Sequence, residues 1–565
     1  MRNKILLYGM MLVGAASFSS CNDTLDKEPL DGFQNSPEFW NNEQTVEGYA
    51  NKYYENFIGY GNAGGQGLFY FKTLSDDQAG NAFSDWTFVN IPSKSSDWRG
   101  TYDEIRRANV MIQGMENSSM KEDVKNHWLG VARLNRAFQY FDLVRKFGDC
   151  LWLDRPLDPK DSKYLYGERD DRDKVMDKVL EDLNFAVDNI KGSSSKTTWS
   201  RNMALAMKAD ICLWEGTFRK YRNPNEGQKA PDMEGSKRFL NECVNACTPL
   251  MQDYTLSDSY RAIYNSESLM NNKEIIFCKQ YKEDIFQHST IDYTCTSTQI
   301  SGMTKDAFNA YLFKDGKPLA LTAENKNDAG VVDSKGHISI SAQLEVRDAR
   351  LRETIDPFVM YPGNTWKRTE DGMEMTSSTG YGVCKYDNVA IPLKHRNQTG
   401  SNYTDAPIYW LSVVYLNYAE AKAELGTLTD QDLNNSINKL RDRAELPALT
   451  VAVGYDDPAN NMGVSSLIWE IRRERRCELM FDNWFRYWDL IRWHQLDKLD
   501  STKYPNIMLG ANVSNATGVT VPVKGDYLDG SKGKTRTYEP KHYLYPIPSG
   551  QLQLNSALGQ NYGWN

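Results

Sequence analysis

The chain has 565 residues, 40% of them apolar and 12% aromatic, and carries a net charge of −9. That apolar share excludes a chain disordered throughout, and the acidic balance argues against the sequence-independent phosphate binding on which nucleic-acid proteins rely. At about 150 residues per domain, the length allows three or four domains or one large two-lobed body.

The N-terminus reads MRNKILLYGMMLVGAASFSSC. Arg2 and Lys4 precede an apolar stretch from Ile5 to Ala16, shorter than the ~20 residues that span a bilayer. Residues 1–20 therefore read as a secretory signal. Ser19, Ser20 and Cys21 resemble a lipobox, with Phe18 where leucine is usual, and this implies that Cys21 is diacylated and tethers the chain to a membrane. The other eight cysteines are scattered, with no CxxC, and are expected to be buried free thiols. Cys243 and Cys247 lie four apart on one helix, where a bridge would strain the backbone.

Residues 21–253 read as mostly helical. Ser36-Pro37 opens a helix with a capping hydroxyl and proline at its first position, and that helix is expected to continue through Trp40, Val46, Tyr49 and Tyr53. A second covers about 98–115. In HWLGVARLNRAFQYFDLVRKFG, residues Leu134, Ala137, Phe138, Phe141 and Val144 share one face, and Gly148 is the expected stop. RDKVMDKVLEDLNFAVDNI, RNMALAMKADICLWEGTFRKY and about 235–251 follow. Amphipathic helices joined by short links predict a mainly α fold of stacked hairpins, although no clean repeat period emerges.

From 254 to 406 the texture changes to Gly, Ser, Thr, Asn and Asp, with EIIFCKQY as a short strand. This loop-rich insert opens the C-terminal region 254–565. Helices return at IYWLSVVYLNYAEAKAELG, DQDLNNSINKLRDRA and SSLIWEIRRERRCELMFDNWFRYWDLIRW. The final stretch, HYLYPIPSGQLQLNSALGQNYGWN, is too aromatic for a frayed end and is expected to pack on the frame.

Several motifs do not carry their usual chemistry. Gly59, Gly61 and Gly64 spell GxGxxG but lack the strand before and the helix after that a dinucleotide needs. In RRERR, glutamates interleave with the arginines, and Glu470–Arg473 and Arg475–Glu478 suit helix-surface pairs rather than a nucleic-acid patch. The six histidines are spread along the chain, and no metal or cofactor is implied. Asp76 and Asp77 could serve a glycosidase only at the right separation across a sugar bond.

RLNRAFQYFDLVRKFGD, RDARLRETI, GYGVCKYDN, YLNYAEAKAELG with INKLRDRAELP, IRRERRCELMFDNWFRYWDLIRW and YLYPIPSGQLQLNSALGQNYGW together resemble, in order, the SusD/RagB family of outer-membrane lipoproteins. Asn483, in place of a small residue, and the aromatic NWFRYW depart from the pattern. The resemblance implies a tetratricopeptide-like helical frame with a glycan site on loops. It also implies a SusC-like TonB-dependent outer-membrane channel as partner, an exterior-facing lipid anchor and no catalysis. An exported helical glycosidase and a peptide- or glycopeptide-binding lid are the alternatives.

In that family the site is built by the first loop and the insert. Here the first loop is TLSDDQAGNAFSDWTF, so Asp76, Asp77, Asn81 and Trp86 are candidate ligand contacts, joined by Tyr293 and Trp366 from the insert. Aromatic rings match the C–H faces of sugars, and Asp and Asn fix hydroxyls. Arg133, Arg136, Glu420, Arg441, Glu474 and Arg475 are expected to brace the frame, and Trp98 and Trp128 to lie in the core.

Overall fold

Helix starts follow from the caps. Ser36 caps the single turn Pro37–Trp40, with Pro37 at the first position. The helix expected to run on to Tyr53 breaks there, because Asn42 offers a second cap, accepting from the Gln44 amide, and α1 restarts at Glu43–Asn51. In this computed structural model the described residues are 35–61, 67, 69, 74–80, 83, 86–158, 160–296 and 301–564. Cys21, Gly64 and Asn81 lie outside them.

Four long helices then follow in sequence: α2 (Ser96–Glu116), α3 (Glu122–Phe147), α4 (Arg172–Asn189) and α5 (Arg201–Tyr221). Each packs on the next, and α5 packs on α6 (Met233–Asp253). Gly148 ends α3 at φ +72, a conformation open to glycine and strained for other residues. Trp98 and Trp128 are buried. So are the described free cysteines, Cys243 and Cys247 among them.

After the insert, α7 (Leu411–Glu424) packs back on α6, and α8 (Ser466–Glu478) packs on α7. The stretch IYW, expected to begin a helix, instead ends strand β10 (Ala406–Trp410), which pairs antiparallel with β2 (Ile275–Lys279). The insert is thus closed at its neck by one strand pair. The expected long C-terminal helix is two helices, since Phe481 at φ +68 turns the chain between α8 and α9 (Asn483–Arg492).

The arginine-rich helix differs most from its sequence reading. It is not a surface network: Arg472, Arg473, Glu474, Arg475 and Glu478 are all buried. Glu470 does pair with Arg473, at 3.1 Å, but inside the protein. Arg475 turns to Asp489 at 2.7 Å, while Glu478 takes Arg350 at 2.9 Å. Arg350 also meets Glu474 at 2.6 Å, and Arg136 meets Asp182 at 2.7 Å. Arg133 reaches Asp182 at 4.0 Å, and Arg441 reaches Glu474 at 3.3 Å. Buried charges survive only when paired and hydrogen-bonded, so these pairs fix helix orientation.

The C-terminal arm seals the end of α3. The Tyr545 amide donates to Lys146 O at 2.7 Å, and Asn561 Nδ2 donates to Phe147 O at 3.0 Å. Tyr543, Tyr545, Ile547 and Trp564 are buried. Among the described residues no helix is long and apolar enough to cross a membrane.

Candidate functional site

Short strands from distant parts of the sequence meet on the loop-rich side of the frame. Strand β1 (Gln78–Gly80) in the first loop pairs antiparallel with β3 (Ser301–Met303) in the insert, and Ala79 sits opposite Gly302. A Cβ at Gly302 would lie 2.2 Å from Ser377 Oγ and 2.3 Å from Thr379 Oγ1, so glycine lets the insert close here without displacing those hydroxyls. Strand β3 also contacts β9 (Gly380–Val383), the edge of a four-stranded sheet with β4 (Val331–Val332), β5 (Ile338–Ser339) and β6 (Ile355–Met360).

The first loop is held from beneath by the frame. Asp76 and Asp77 are 3% and 1% exposed. Arg486 donates to Asp76 through Nε at 2.7 Å and Nη2 at 2.5 Å, while Arg476 Nε donates to Asp77 at 2.7 Å. Burial pushes both carboxyls up. At Asp76 the Arg476 and Arg486 guanidiniums outweigh burial and hold it well below the usual carboxylate range. At Asp77 burial prevails, with the Asp76 charge adding to it. Arg536, 1% exposed, donates to Ser75 O at 2.9 Å and to Phe83 O at 3.2 Å, tying both flanks of β1 to the C-terminal region. The oxygens of Asp76 and Asp77 therefore meet arginines, and their visible work is to hold the loop.

The other sequence candidates occupy different settings. Trp86 is half-buried, with its ring stacked on His542 at 3.8 Å and its Nε1 donating to Thr537 O at 2.9 Å. Tyr293 is half-buried on the short helix Thr290–Cys295, which contacts β9. Trp366, in the hairpin of β7 (Trp366–Lys367) and β8 (Glu374–Met375) beside β6, stacks on Phe358 at 3.7 Å and meets His337 edge-on at 5.0 Å. Among the described residues its indole N–H has no hydrogen-bond partner, whereas that of Trp86 is committed to Thr537 O. The strand contacts bring the first loop and Tyr293 to one edge of the sheet, while Trp366 stands beyond β6. Sequence reading missed Phe358 and His337, which turn Trp366 into an aromatic ledge. It also missed Arg476, Arg486 and Arg536, whose alternation with acids had suggested a solvated helix face or carried no signal at all.

The Tyr293 helix rests on a buried polar support. His288 Nδ1 accepts from the Thr290 amide at 3.2 Å, its Nε2 donates to Thr404 O at 3.1 Å, and Asn402 Oδ1 accepts from the Ile291 amide at 2.9 Å. Burial pushes the His288 imidazole down to about 3. In the unfolded chain it titrates near ~6.5, so between those values the unfolded state binds more protons, and the stability tied to neutral His288 is complete above pH ~6.5 and lost as pH falls. The expected loss between pH 6.5 and 4.5 is about 2 kcal/mol. Urea unfolding of His288→Gln at pH 7 and 4.5 should show an acid limb flatter by about that amount, and an unchanged limb would refute the assignment.

Among the described residues no group of three His, Cys, Asp or Glu side chains could hold a metal ion. The arrangement offers aromatic faces and hydrogen-bonding loops on a rigid support, which suits non-covalent capture.

Known proteins share this plan. Residues 273–564 match the SusD family model, and residues 25–213 match one described as starch-binding associating with outer membrane. A SusD-like protein of Bacteroides ovatus is 23% identical over 526 residues, covering 87% of this chain and 83% of its own. SusD-like protein P38 of Formosa agariphila is 24% identical, covering 86% and 90%. Among solved structures, a SusD-like protein from Bacteroides fragilis superposes with a TM-score of 0.68 at 23% identity, covering 95% of this chain and all of its own. A SusD-like carbohydrate binding protein from the same organism gives 0.68 at 19%, covering 92% and 100%, and a structure with xylogluco-oligosaccharide gives 0.58 at 17%, covering 91% and 98%. The first model alone spans more than half of the sequence, and with the frame and its loop-rich insert this places the chain in the SusD family.

Proposed function

We propose that this protein captures oligosaccharides or polysaccharides at the cell surface without cleaving them and passes them to a TonB-dependent outer-membrane channel. The observation that carries the reading is the convergence of the first loop and the insert at β1 and β3, beside a sheet that bears the Trp366 ledge. A half-buried indole whose N–H has no partner among the described residues, braced from behind by Phe358, offers a flat apolar face and a hydrogen bond to a sugar ring. Asn81, Trp86 and Tyr293 would add contacts from the first loop and the insert. Asp76 and Asp77 serve the same site through the loop they hold. Their commitment to arginines also speaks against the free carboxylate pair that glycoside hydrolysis requires. Relatives described as carbohydrate-binding, and one solved with xylogluco-oligosaccharide, support the ligand class.

The signal and Cys21 support a diacylated anchor in the outer membrane, with the sugar-binding face outward. Metabolic labelling with palmitate should mark the wild type and leave Cys21→Ser unlabelled. The binding test is native gel retardation and calorimetry on a glycan panel. Trp366→Ala is expected to weaken the preferred glycan at least tenfold, about 1.4 kcal/mol, with the unfolding midpoint little changed. Cleavage of a labelled oligosaccharide by the pure protein, or full affinity in a folded Trp366→Ala, would sink this reading.

A further inference from the structure

Behind the first loop lies a cavity of about 380 Å³, walled by the helix Lys305–Ala310, the segment 458–462, α8 and the turn Pro505–Ile507. Trp469, Met462, Ile507 and Pro505 supply apolar surface. Six cationic side chains line it, against two carboxylates, Asp76 and Asp306. Most of that charge is already matched. Arg486 serves Asp76, Arg476 serves Asp76, Asp77 and Asp306, and Arg473 serves Glu470 and Asp457.

What remains is a surplus of donors. Arg472 is 2% exposed, yet among the described residues its Nε has no partner, its Nη2 reaches Glu424 only at 3.4 Å and its Nη1 faces Met462 Sδ at 3.7 Å. An arginine buried with a donor unmet is costly and calls for an acceptor. Lys498 gives its ammonium to Asn461 O and Tyr504 Oη, at 2.8 and 2.7 Å, both neutral groups, and meets a carboxylate only in the longer Asp497 contact at 3.5 Å. Among the described residues Lys503, exposed at the rim, makes no ion pair, and neither Asn309 nor Asn506 bonds to another side chain. Apolar walls with a few convergent, underused donors are the pattern of a small-molecule site.

We infer that this cavity is a second binding site, distinct from the loop surface, that takes a single acidic sugar through its carboxylate or sulfate ester, met by Arg472, Lys498 and Lys503 while the ring packs on Trp469 and Met462. From the proposed function it takes only the premise that the ligand is a glycan. Because Arg476 and Arg486 line the cavity and also hold the first loop, an anion bound here would add to the charge balance that fixes that loop.

The test titrates the purified full chain with D-galacturonic acid, D-galactose 6-sulfate and neutral D-galactose, followed by calorimetry and by Trp indole N–H resonances. Either acidic sugar should bind, galactose should bind at least tenfold more weakly, and Lys503→Glu should weaken the acidic sugar at least tenfold with unfolding unchanged. The carboxylate and sulfate arms show which anion is preferred. Arg472→Met should abolish binding, and because it is buried, Lys503→Glu and Asn309→Ala keep the question answerable if it fails to fold. Absence of binding by both acidic sugars, equal binding of galactose, or indifference to Lys503→Glu would overturn the inference. Trp366→Ala separates the two sites. Its loss of neutral glycan with acidic-sugar binding intact supports the cavity as distinct, and a parallel loss of both refutes that distinction.

Discussion

Glu420→Ala is expected to lower the unfolding free energy by about 3–5 kcal/mol, a large part of the roughly 5–15 kcal/mol that folded domains have. Glu420 is 0% exposed and accepts three hydrogen bonds: Arg492 Nη1 at 2.6 Å, Arg492 Nη2 at 2.8 Å and Trp493 Nε1 at 2.7 Å. Arg492 also donates to Asp489 at 2.8 Å and to Thr217 Oγ1 at 3.0 Å. Asp489 accepts from Arg475, which reaches Asn417 Oδ1 at 2.8 Å. One connected network therefore ties α5, α7, α8 and α9. Alanine removes the carboxylate and leaves the Arg492 guanidinium in a dry interior with much of its compensation gone. The paired change Glu420→Leu/Arg492→Leu should cost less than Glu420→Ala alone, because it removes both desolvation penalties together. Glu181→Ala is the control: its pair with Lys178 is solvent-exposed and worth about 0–1 kcal/mol. Urea unfolding of the three variants decides it, and a Glu420→Ala loss below about 1 kcal/mol would show that the network does not bear on stability.

The helical frame was legible because its signals are local. Apolar residues at helical spacing in α3, caps at Ser36 and Gly148, and aromatic residues in the closing arm each report on their own neighbourhood. The errors arose where a distant partner decided the outcome. Tyr409 and Trp410 have helix-compatible neighbours, but pairing with β2, more than a hundred residues earlier, draws them into a strand. The α8 charges fit helix-surface spacing equally well inward or outward, and only Arg350, Arg443 and Asp489 from elsewhere show that they face in. The same limit applies to the site. Asp76 and Asp77 sat in a polar, turn-rich setting that suggested open contacts, while the arginines that occupy them lie about four hundred residues away. Trp366 looked like one tryptophan among loops, and its support by Phe358 follows from a hairpin that only the fold reveals.

That long-range clamp leads to the second strong expectation: Asp76→Asn should weaken glycan binding at least tenfold although residue 76 meets arginine rather than ligand. Asparagine keeps the shape but loses the charge that faces two guanidiniums, so Arg486 is left buried with its bidentate partner removed. Breaking one side of such a pair costs about 3–5 kcal/mol if the structure stays closed. The loop has a cheaper response, since opening β1 away from β3 lets water reach Arg486 while the helical frame stays intact. The free energy then appears as a local equilibrium, and apparent affinity falls in proportion to the closed fraction. An opening that leaves one molecule in ten closed already gives the tenfold loss. Hydrogen exchange should therefore speed up at Gln78–Gly80 and Ser301–Met303 while the amides of α3 keep their protection. Arg486→Gln should reproduce the pattern, because the loop is held by the pair and not by either residue alone. Uniformly faster exchange across the frame would assign Asp76 to global stability, and unchanged exchange with full glycan affinity would show that the β1–β3 contact holds without it.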